Sequence, residues 1–91
     1  MANWTYTITS GKALHTAIHN EDVALVVQCL LECYRELYRK LNDEDRDWRG
    51  YDIEDAIGCL EHYDEDEDDD IDYYLDDFYN LCDELRAWIT L

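Results

Sequence analysis

Proline is missing from the chain and glycine occurs only three times, at Gly11, Gly50 and Gly58, so residues that interrupt helices are scarce. No apolar run approaches the ~20 residues that a membrane-spanning helix needs. The opening residues 1–6 lack the basic and apolar regions of a secretion signal, so we expect none. With 91 residues the chain suffices for one domain and one small core, which leaves little room for an enclosed substrate pocket.

Basic residues are also scarce, because 7 Lys and Arg stand against 24 Asp and Glu, for a formal net charge of −17. Residues 1–42 carry four acidic and four basic side chains, whereas residues 43–91 carry twenty acidic and three basic ones. The whole excess of negative charge therefore lies in the second half, which is typical of an electrostatic face or an acidic arm. Nucleic acids and anionic membranes carry the same sign, so we expect neither to be a direct partner.

Apolar residues make up 47% of the chain and aromatic residues 13%, which favours a folded core over a disordered acidic tail. Alternating bulky residues over 4–9 predict a short extended segment, and Ser10 then fits a helix N-cap. Apolar side chains recur every three or four residues in four later segments, which predicts four helices. Their expected ranges are about 11–19, 23–41, 51–63 and 71–89, with the polar stretch 42–50 as a loop. The predicted fold is mainly α, a single domain over 1–91 built as a small bundle of about four helices.

Acidic side chains dominate the last predicted helix on the side away from its apolar stripe, and the acidic run 64–70 precedes it. Side chains at i and i+4 of a helix lie about 6 Å apart, so a rigid helix can approximate a strip of DNA phosphates. Glu84 belongs to this face, and Glu54, Asp55 and Glu61 of the preceding helix are expected to extend it. The predicted partner-binding residues are Asp64, Glu65, Asp66, Glu67, Asp68, Asp69, Asp70, Asp72, Tyr73, Asp76, Asp77 and Asp83.

Tyr73 is expected to act as an aromatic anchor within this set, and Trp48 is a second candidate anchor. The alternative for the acidic side chains is a solvated face that only maintains solubility. The concentration of the charge in one half of the chain favours a functional face.

Two spacings of potential ligand residues suggest a metal site. Carboxylates at 43, 45, 47 and 54 follow the spacing of an EF-hand calcium loop, but Trp48 stands where that loop requires glycine. His15 and His19 have the i, i+4 spacing of a zinc pair, without an evident third ligand. The cysteines at 29, 33, 59 and 82 form no Cys-x-x-Cys pair and fall on or beside apolar stripes, so we expect buried, reduced thiols. We predict no bound metal and no cofactor.

Catalytic motifs are lacking as well. The chain has no glycine-rich phosphate loop, no nucleophile elbow and no cysteine with an obvious neighbouring base. Carboxylate pairs occur throughout the second half, so none is singled out as an acid or a base. We therefore expect a protein that is not an enzyme.

Small size, strong acidity and the stretch 61–84, in which acidic residues alternate with tyrosines, together resemble a class of small phage and mobile-element inhibitors. These are the DNA-mimic antirestriction proteins and the anti-CRISPR proteins. The resemblance implies an inhibitor in the bacterial host cytoplasm that occupies the basic nucleic-acid groove of a CRISPR effector or restriction enzyme and excludes DNA by competition. Monomer and homodimer both stay open.

Two other functions fit the same features. The tripeptide Asp72-Tyr73-Tyr74 resembles the Tyr-Tyr recognition helix of the bacteriocin immunity proteins, which neutralise a nuclease toxin made by the same cell. Those proteins usually follow the pair with a proline, and this chain has none. The other possibility is an adaptor that binds a basic partner without blocking an enzyme.

Overall fold

A computed structural model describes residues 4–64, 66, 67 and 70–90. The elements of this part are strand β1 (Tyr6–Ile8), helices α1 (Gly11–His19), α2 (Val23–Lys40), α3 (Asp43–Glu61) and α4 (Ile71–Leu85), and strand β2 (Ala87–Ile89). The predicted fold class, mainly helical with four helices and a short extended N-terminal segment, is confirmed.

Helix α2 lies at the centre of the molecule and packs against β1, α1, α3 and α4. The side chain of Asp22 caps its N-terminus by accepting a hydrogen bond from the Leu25 N–H at 3.2 Å. The apolar spacing predicted for this helix is confirmed, since the residues of the stripe are buried against the other elements. The buried stripe consists of Val26, Leu30, Cys33 and Leu37.

Helix α3 begins at Asp43 and not near Tyr51, so the prediction of a loop over 42–50 was wrong. The side chain of Asn42 caps the helix by accepting a hydrogen bond from the Asp45 N–H at 2.8 Å. The acidic residues of the first turn place negative charge at the positive end of the helix dipole. The polarity that suggested a loop therefore stabilises a helix start. An EF-hand loop is excluded, because carboxylates 43–54 lie on one continuous helix.

The prediction that the last helix continues to about Ile89 was also wrong. Arg86 adopts the left-handed conformation, with φ of 59°, and ends α4. The next three residues form β2, which pairs in parallel with β1, and the Thr5 N–H donates to the Arg86 carbonyl at 2.8 Å. The helix end was predicted wrongly because Trp88 and Ile89 continue the helical spacing of apolar residues. In addition, the residue that ends the helix in the left-handed conformation is an arginine, where glycine is usual.

Glu36 of α2 attaches the N-terminal segment to the core through a carboxylate that is only 5% exposed. It accepts hydrogen bonds from the N–H and hydroxyl of Thr9, at 2.8 and 2.7 Å, and from those of Ser10, at 3.0 and 2.9 Å. Burial by itself raises the pKa of this carboxyl, but the bonds from Lys40, Thr9 and Ser10 outweigh it and lower the pKa to about 2. Ser10 does occupy the N-cap position of α1, although its hydroxyl serves Glu36 and not the helix.

Candidate functional site: an acidic groove between two helices

A groove of about 560 Å³ separates α3 from α4, which both pack on α2. Arg49, near the start of α3, pairs with Glu84, near the end of α4, at 2.8 Å. The connection 62–70 joins the helices at the other end, so the two helices run antiparallel. We call this feature the acidic groove. Its polar lining includes Arg49, Asp52 and Asp55 from α3 and Tyr73, Asp77, Asn80 and Glu84 from α4.

Arg49 neutralises only part of the charge in the acidic groove. Its guanidinium contacts Asp52 of its own helix at 3.2 Å and Glu84 of α4 at 2.8 Å, and it lies over the Trp48 ring with 4.8 Å to the ring centroid. The groove lining holds four carboxylates and this one cation, so its net charge is negative. Because all three charged side chains remain partly exposed, each ion pair contributes at most about 1 kcal/mol to stability.

Helix α4 presents its carboxylates in two adjacent rows, since successive residues are rotated by about 100°. Asp77 and Glu84 face the acidic groove together with Tyr73. The second row lies about 100° farther round and is exposed. This outer row consists of Asp72, Asp76 and Asp83. The two rows give roughly one carboxylate per 4 Å of helix axis, close to the one phosphate per ~3.4 Å of a single DNA strand.

The predicted partner-binding residues fall into separate groups. Tyr73 and Asp77 line the acidic groove, and the outer row of α4 lies beside it. The exposed residues of the connection are Asp64, Asp66, Glu67 and Asp70, and the Asp64 side chain accepts the Asp66 N–H at 2.9 Å. Three further predicted residues lie outside the described part of the chain, namely Glu65, Asp68 and Asp69.

Asp64 and Asp66 line a different groove, of about 800 Å³, between α2 and the end of α3. This second groove has a mixed lining of apolar and polar side chains, and its guanidinium, Arg35, is already paired with Glu32 at 3.2 Å and Glu61 at 3.0 Å. Its lining holds three carboxylates and one guanidinium, whereas the lining of the acidic groove holds four carboxylates and one guanidinium and adjoins the outer row of α4. We therefore take the acidic groove and the outer row of α4 as the candidate site.

Two carboxylates expected on the acidic face point elsewhere. Glu54 accepts a hydrogen bond from the Tyr38 hydroxyl of α2 at 2.7 Å, and Glu61 pairs with Arg35 of the same helix. Both lie on the α2 side of α3, so their assignment to the face was wrong. Asp55, in contrast, lines the acidic groove as expected.

Asp52 and Arg49 belong to the acidic groove and were missed from the sequence. Arg49 lay in the stretch 42–50 that was taken as a loop. Asp52 lay in the first turn of the helix predicted over 51–63 and was not assigned to the acidic face. The signal that could have found them is Asn42 followed by three acidic residues, a pattern typical of a capped helix N-terminus.

Aromatic rings that are open to solvent flank both ends of the acidic groove. Tyr73 is 68% exposed at one end, and Trp48 is 56% exposed beside Arg49 at the other. Tyr51, which is 79% exposed, lies one helical turn from Trp48 on α3. Exposed rings next to carboxylates favour a cationic protein partner, because a guanidinium can stack on the ring while it pairs with the acid.

The described residues contain no cluster of three or more His, Cys, Asp or Glu side chains that could hold a metal ion. His15 and His19 are exposed on α1. Burial raises the pKa of Cys33 and Cys82 to about 12, so both thiols are protonated at neutral pH. Cys59 is exposed on the wall of the acidic groove, so the expectation of buried thiols was wrong for this residue.

No protein-family model matches the chain, and no curated protein or solved structure shows significant similarity to it. Among the helices of the described ranges, none combines the length and apolar character that a membrane span requires.

Proposed function

We propose that this protein is a DNA-mimic inhibitor of a bacterial defence nuclease, either a CRISPR effector or a restriction enzyme. The acidic groove and the outer row of α4 occupy the basic groove in which the nuclease binds nucleic acid, so DNA is excluded by competition. The observation that supports this best is that two antiparallel helices bring their carboxylates to one groove with an exposed ring at each end.

The rigidity of the scaffold supports a role as a mimic. Ile53 and Leu60 of α3 and Phe78 of α4 are buried against the core, so both helices are fixed before any partner binds. A partner therefore meets carboxylates that are already positioned, which lowers the entropic cost of association. Carboxylates on side chains also offer the nuclease no phosphodiester bond to cut.

In such a complex the acidic side chains and the aromatic rings affect different rates, association and dissociation respectively. The net charge of −17 speeds association with a cationic groove, an effect that weakens as salt is added. Tyr73 and Trp48 supply apolar surface that is buried on binding, which slows dissociation. The partner's positive charge also offsets the self-repulsion of the acidic surface.

An order-of-addition assay on a panel of CRISPR effectors and restriction enzymes tests the proposal. Protein added before DNA should block cleavage, whereas nuclease already bound to DNA should resist inhibition. The matched variants are Asp55→Lys with Asp77→Lys in the acidic groove and Glu21→Lys with Glu32→Lys outside it, which change the net charge equally. The proposal requires that only the first pair abolishes inhibition; equal effects of both pairs would refute it.

The exposure of Tyr73 also favours a second candidate, an immunity protein that neutralises a nuclease toxin. Its recognition surface would centre on Tyr73 and Asp72 at the start of α4, and its target would be a toxin encoded by the neighbouring gene. Co-expression with that toxin distinguishes the two: rescue of growth that depends on Tyr73 and survives reversal of Asp55 supports the immunity function.

A further inference from the structure

The second groove, between α2 and the end of α3, shares no lining residue with the acidic groove. Its apolar lining includes Ala24, Val27 and Leu31 of α2 and the buried Leu60 of α3. Ala24 is exposed, and Val27 and Leu31 pack against the core with only half of their surface buried. The groove therefore leaves apolar surface in contact with water, and a partner that covers this surface gains the free energy of its burial.

The apolar side chains that α2 contributes to the second groove follow one another at helical spacing. Ala24, Val27 and Leu31 are three and four residues apart, so they form a stripe along the helix beside its fully buried stripe. Arg35 lies at the end of this row, and the distance from Ala24 to Arg35 corresponds to about 16 Å of helix axis. A row of this length matches about three turns of another helix, whose apolar side chains recur at i, i+3 or i+4 and i+7.

The opposite wall of the second groove carries carboxylates. The polar contacts that join α3 to α2 show that the two helices run antiparallel. The residues that follow Glu61 therefore run towards the start of α2, alongside the apolar row. Asp64 and Asp66 lie on this wall together with Glu61.

Positive charge in the second groove is already paired. Among the described residues of its lining, Arg35 is the one lysine or arginine, and its guanidinium contacts Glu32 at 3.2 Å and Glu61 at 3.0 Å. The groove therefore combines an apolar row with a wall of net negative charge. This combination complements a helix whose apolar face is flanked by lysine or arginine, and it repels an acidic segment.

We infer that the second groove is the docking site for an amphipathic, basic helix of a partner protein. The apolar face of that helix covers Ala24, Val27 and Leu31, while its basic side chains pair with the carboxylates of the opposite wall. Charge argues against a second copy of the chain as the occupant, since each copy carries a net charge of −17. The inference goes beyond the proposed function, because this groove and the acidic groove have separate linings.

Isothermal titration calorimetry with two synthetic peptides tests the inference, at about 0.15 M salt to suppress unspecific attraction. Both peptides contain the same leucine, alanine and lysine residues over about three helical turns. In the amphipathic peptide the leucines form one helix face, and in the scrambled peptide they are distributed around the helix. The wild-type protein should bind the amphipathic peptide roughly tenfold more tightly. Equal affinity would show that charge alone attracts the peptides and would overturn the inference.

Two matched pairs of variants locate the bound peptide. Leu31→Gln changes the apolar row and should weaken binding of the amphipathic peptide about tenfold, whereas Leu25→Gln, at an exposed position of α2 outside the groove, should preserve it. Asp66→Asn on the acidic wall should weaken binding about threefold. Asp72→Asn on the outer row of α4 makes the same charge change and should preserve the affinity.

Thermal unfolding of each variant shows whether it is folded. The Leu31 side chain packs against the core, but Asp66 is exposed, so Asp66→Asn tests the groove even where Leu31→Gln unfolds. Unchanged peptide binding in every folded variant of the groove would overturn the inference. Analytical ultracentrifugation should show a monomer, and a dimer that dissociates on Leu31→Gln or Asp66→Asn would assign the groove to a second copy and overturn it as well.

Discussion

The Glu36 carboxylate and the Lys40 ammonium group form a 2.7 Å ion pair one turn apart on α2, and both groups also bond the N-terminal segment. Lys40 donates to the Thr7 carbonyl at 2.6 Å, while Glu36 accepts four hydrogen bonds from Thr9 and Ser10. This small network joins β1 and the start of α1 to the core, so it governs the attachment of the N-terminal segment.

Glu36→Gln should lower the free energy of unfolding at neutral pH by about 3 kcal/mol, because the folded pKa of about 2 lies well below the ordinary value of 4.5. A depressed carboxyl pKa stabilises the fold fully above pH 4.5, and this stabilisation is lost as the pH falls towards 2. Urea unfolding of the wild-type protein and of the Glu36→Gln variant, between neutral and acidic pH, measures the difference in the free energy of unfolding. Both proteins carry the same surface carboxylates, so the contributions of these groups to the pH dependence largely cancel in the difference. If the two proteins differ in the free energy of unfolding by the same amount at every pH in this range, the lowered pKa assigned to Glu36 is contradicted.

Gly11→Ala and Gly58→Ala should change stability in opposite directions. A methyl group on Gly11 would overlap Cγ2 of Ile89 and lie 2.8 Å from the Thr90 carbonyl, so we expect a loss of about 1–3 kcal/mol from overpacking. Gly58 is inside α3 with no heavy atom within 4 Å of an added Cβ, so alanine there should gain about 1 kcal/mol of helix propensity. Chemical denaturation of the two variants gives both values, and changes of the same sign would show that the packing at Gly11 is misassigned.

Stability should rise with ionic strength up to physiological salt, since a charge of −17 concentrated in one half of the chain repels itself. The thermal midpoint measured from about 0.01 to 0.15 M salt tests this, because the screening length falls from ~30 to ~8 Å over that range. The Asp55→Asn, Asp77→Asn double variant should show a smaller increase. Midpoints that stay flat or fall would argue against a concentrated acidic surface.

Arg49→Gln should weaken the fold and strengthen binding of a cationic partner. The variant loses the Arg49–Glu84 ion pair, which connects α3 to α4, and the Arg49–Asp52 pair within α3, and we expect a cost of about 1 kcal/mol because the groups are partly exposed. It also frees Asp52 and Glu84 for the partner. Thermal unfolding and calorimetric titration with an arginine hexapeptide give the two effects. A drop in peptide affinity would mean that Arg49 itself belongs to the interface.

Local patterns were enough to predict the helices that bury a regular stripe and the acidic side of α4. The spacing of Val26, Leu30 and Cys33 determines which side of α2 is buried, and the rotation of about 100° per residue places Asp72 and Asp76 on the side of α4 away from the core. Such features depend on neighbours a few residues apart, so the sequence is sufficient for them.

Features that depend on distant parts of the chain could not be predicted in this way. Burial of the Glu36 carboxylate requires Thr9 and Ser10, which lie 27 and 26 residues earlier in the chain. The end of α4 at Arg86 depends on pairing with β1 near the other terminus. The composition of the acidic groove likewise depends on how α3 and α4 dock on α2, which periodicity within one helix does not define.

The most direct test of the DNA-mimic proposal is the apparent dissociation constant of the target nuclease for labelled DNA, measured by fluorescence anisotropy at increasing concentrations of this protein. Competition for one groove predicts a constant that rises in proportion to the protein concentration and reaches no plateau. The Asp55→Lys, Asp77→Lys variant should abolish the rise, and the Glu21→Lys, Glu32→Lys variant should preserve it. A plateau from a ternary complex with DNA still bound, or a rise that survives reversal of the groove charges, would contradict the proposal.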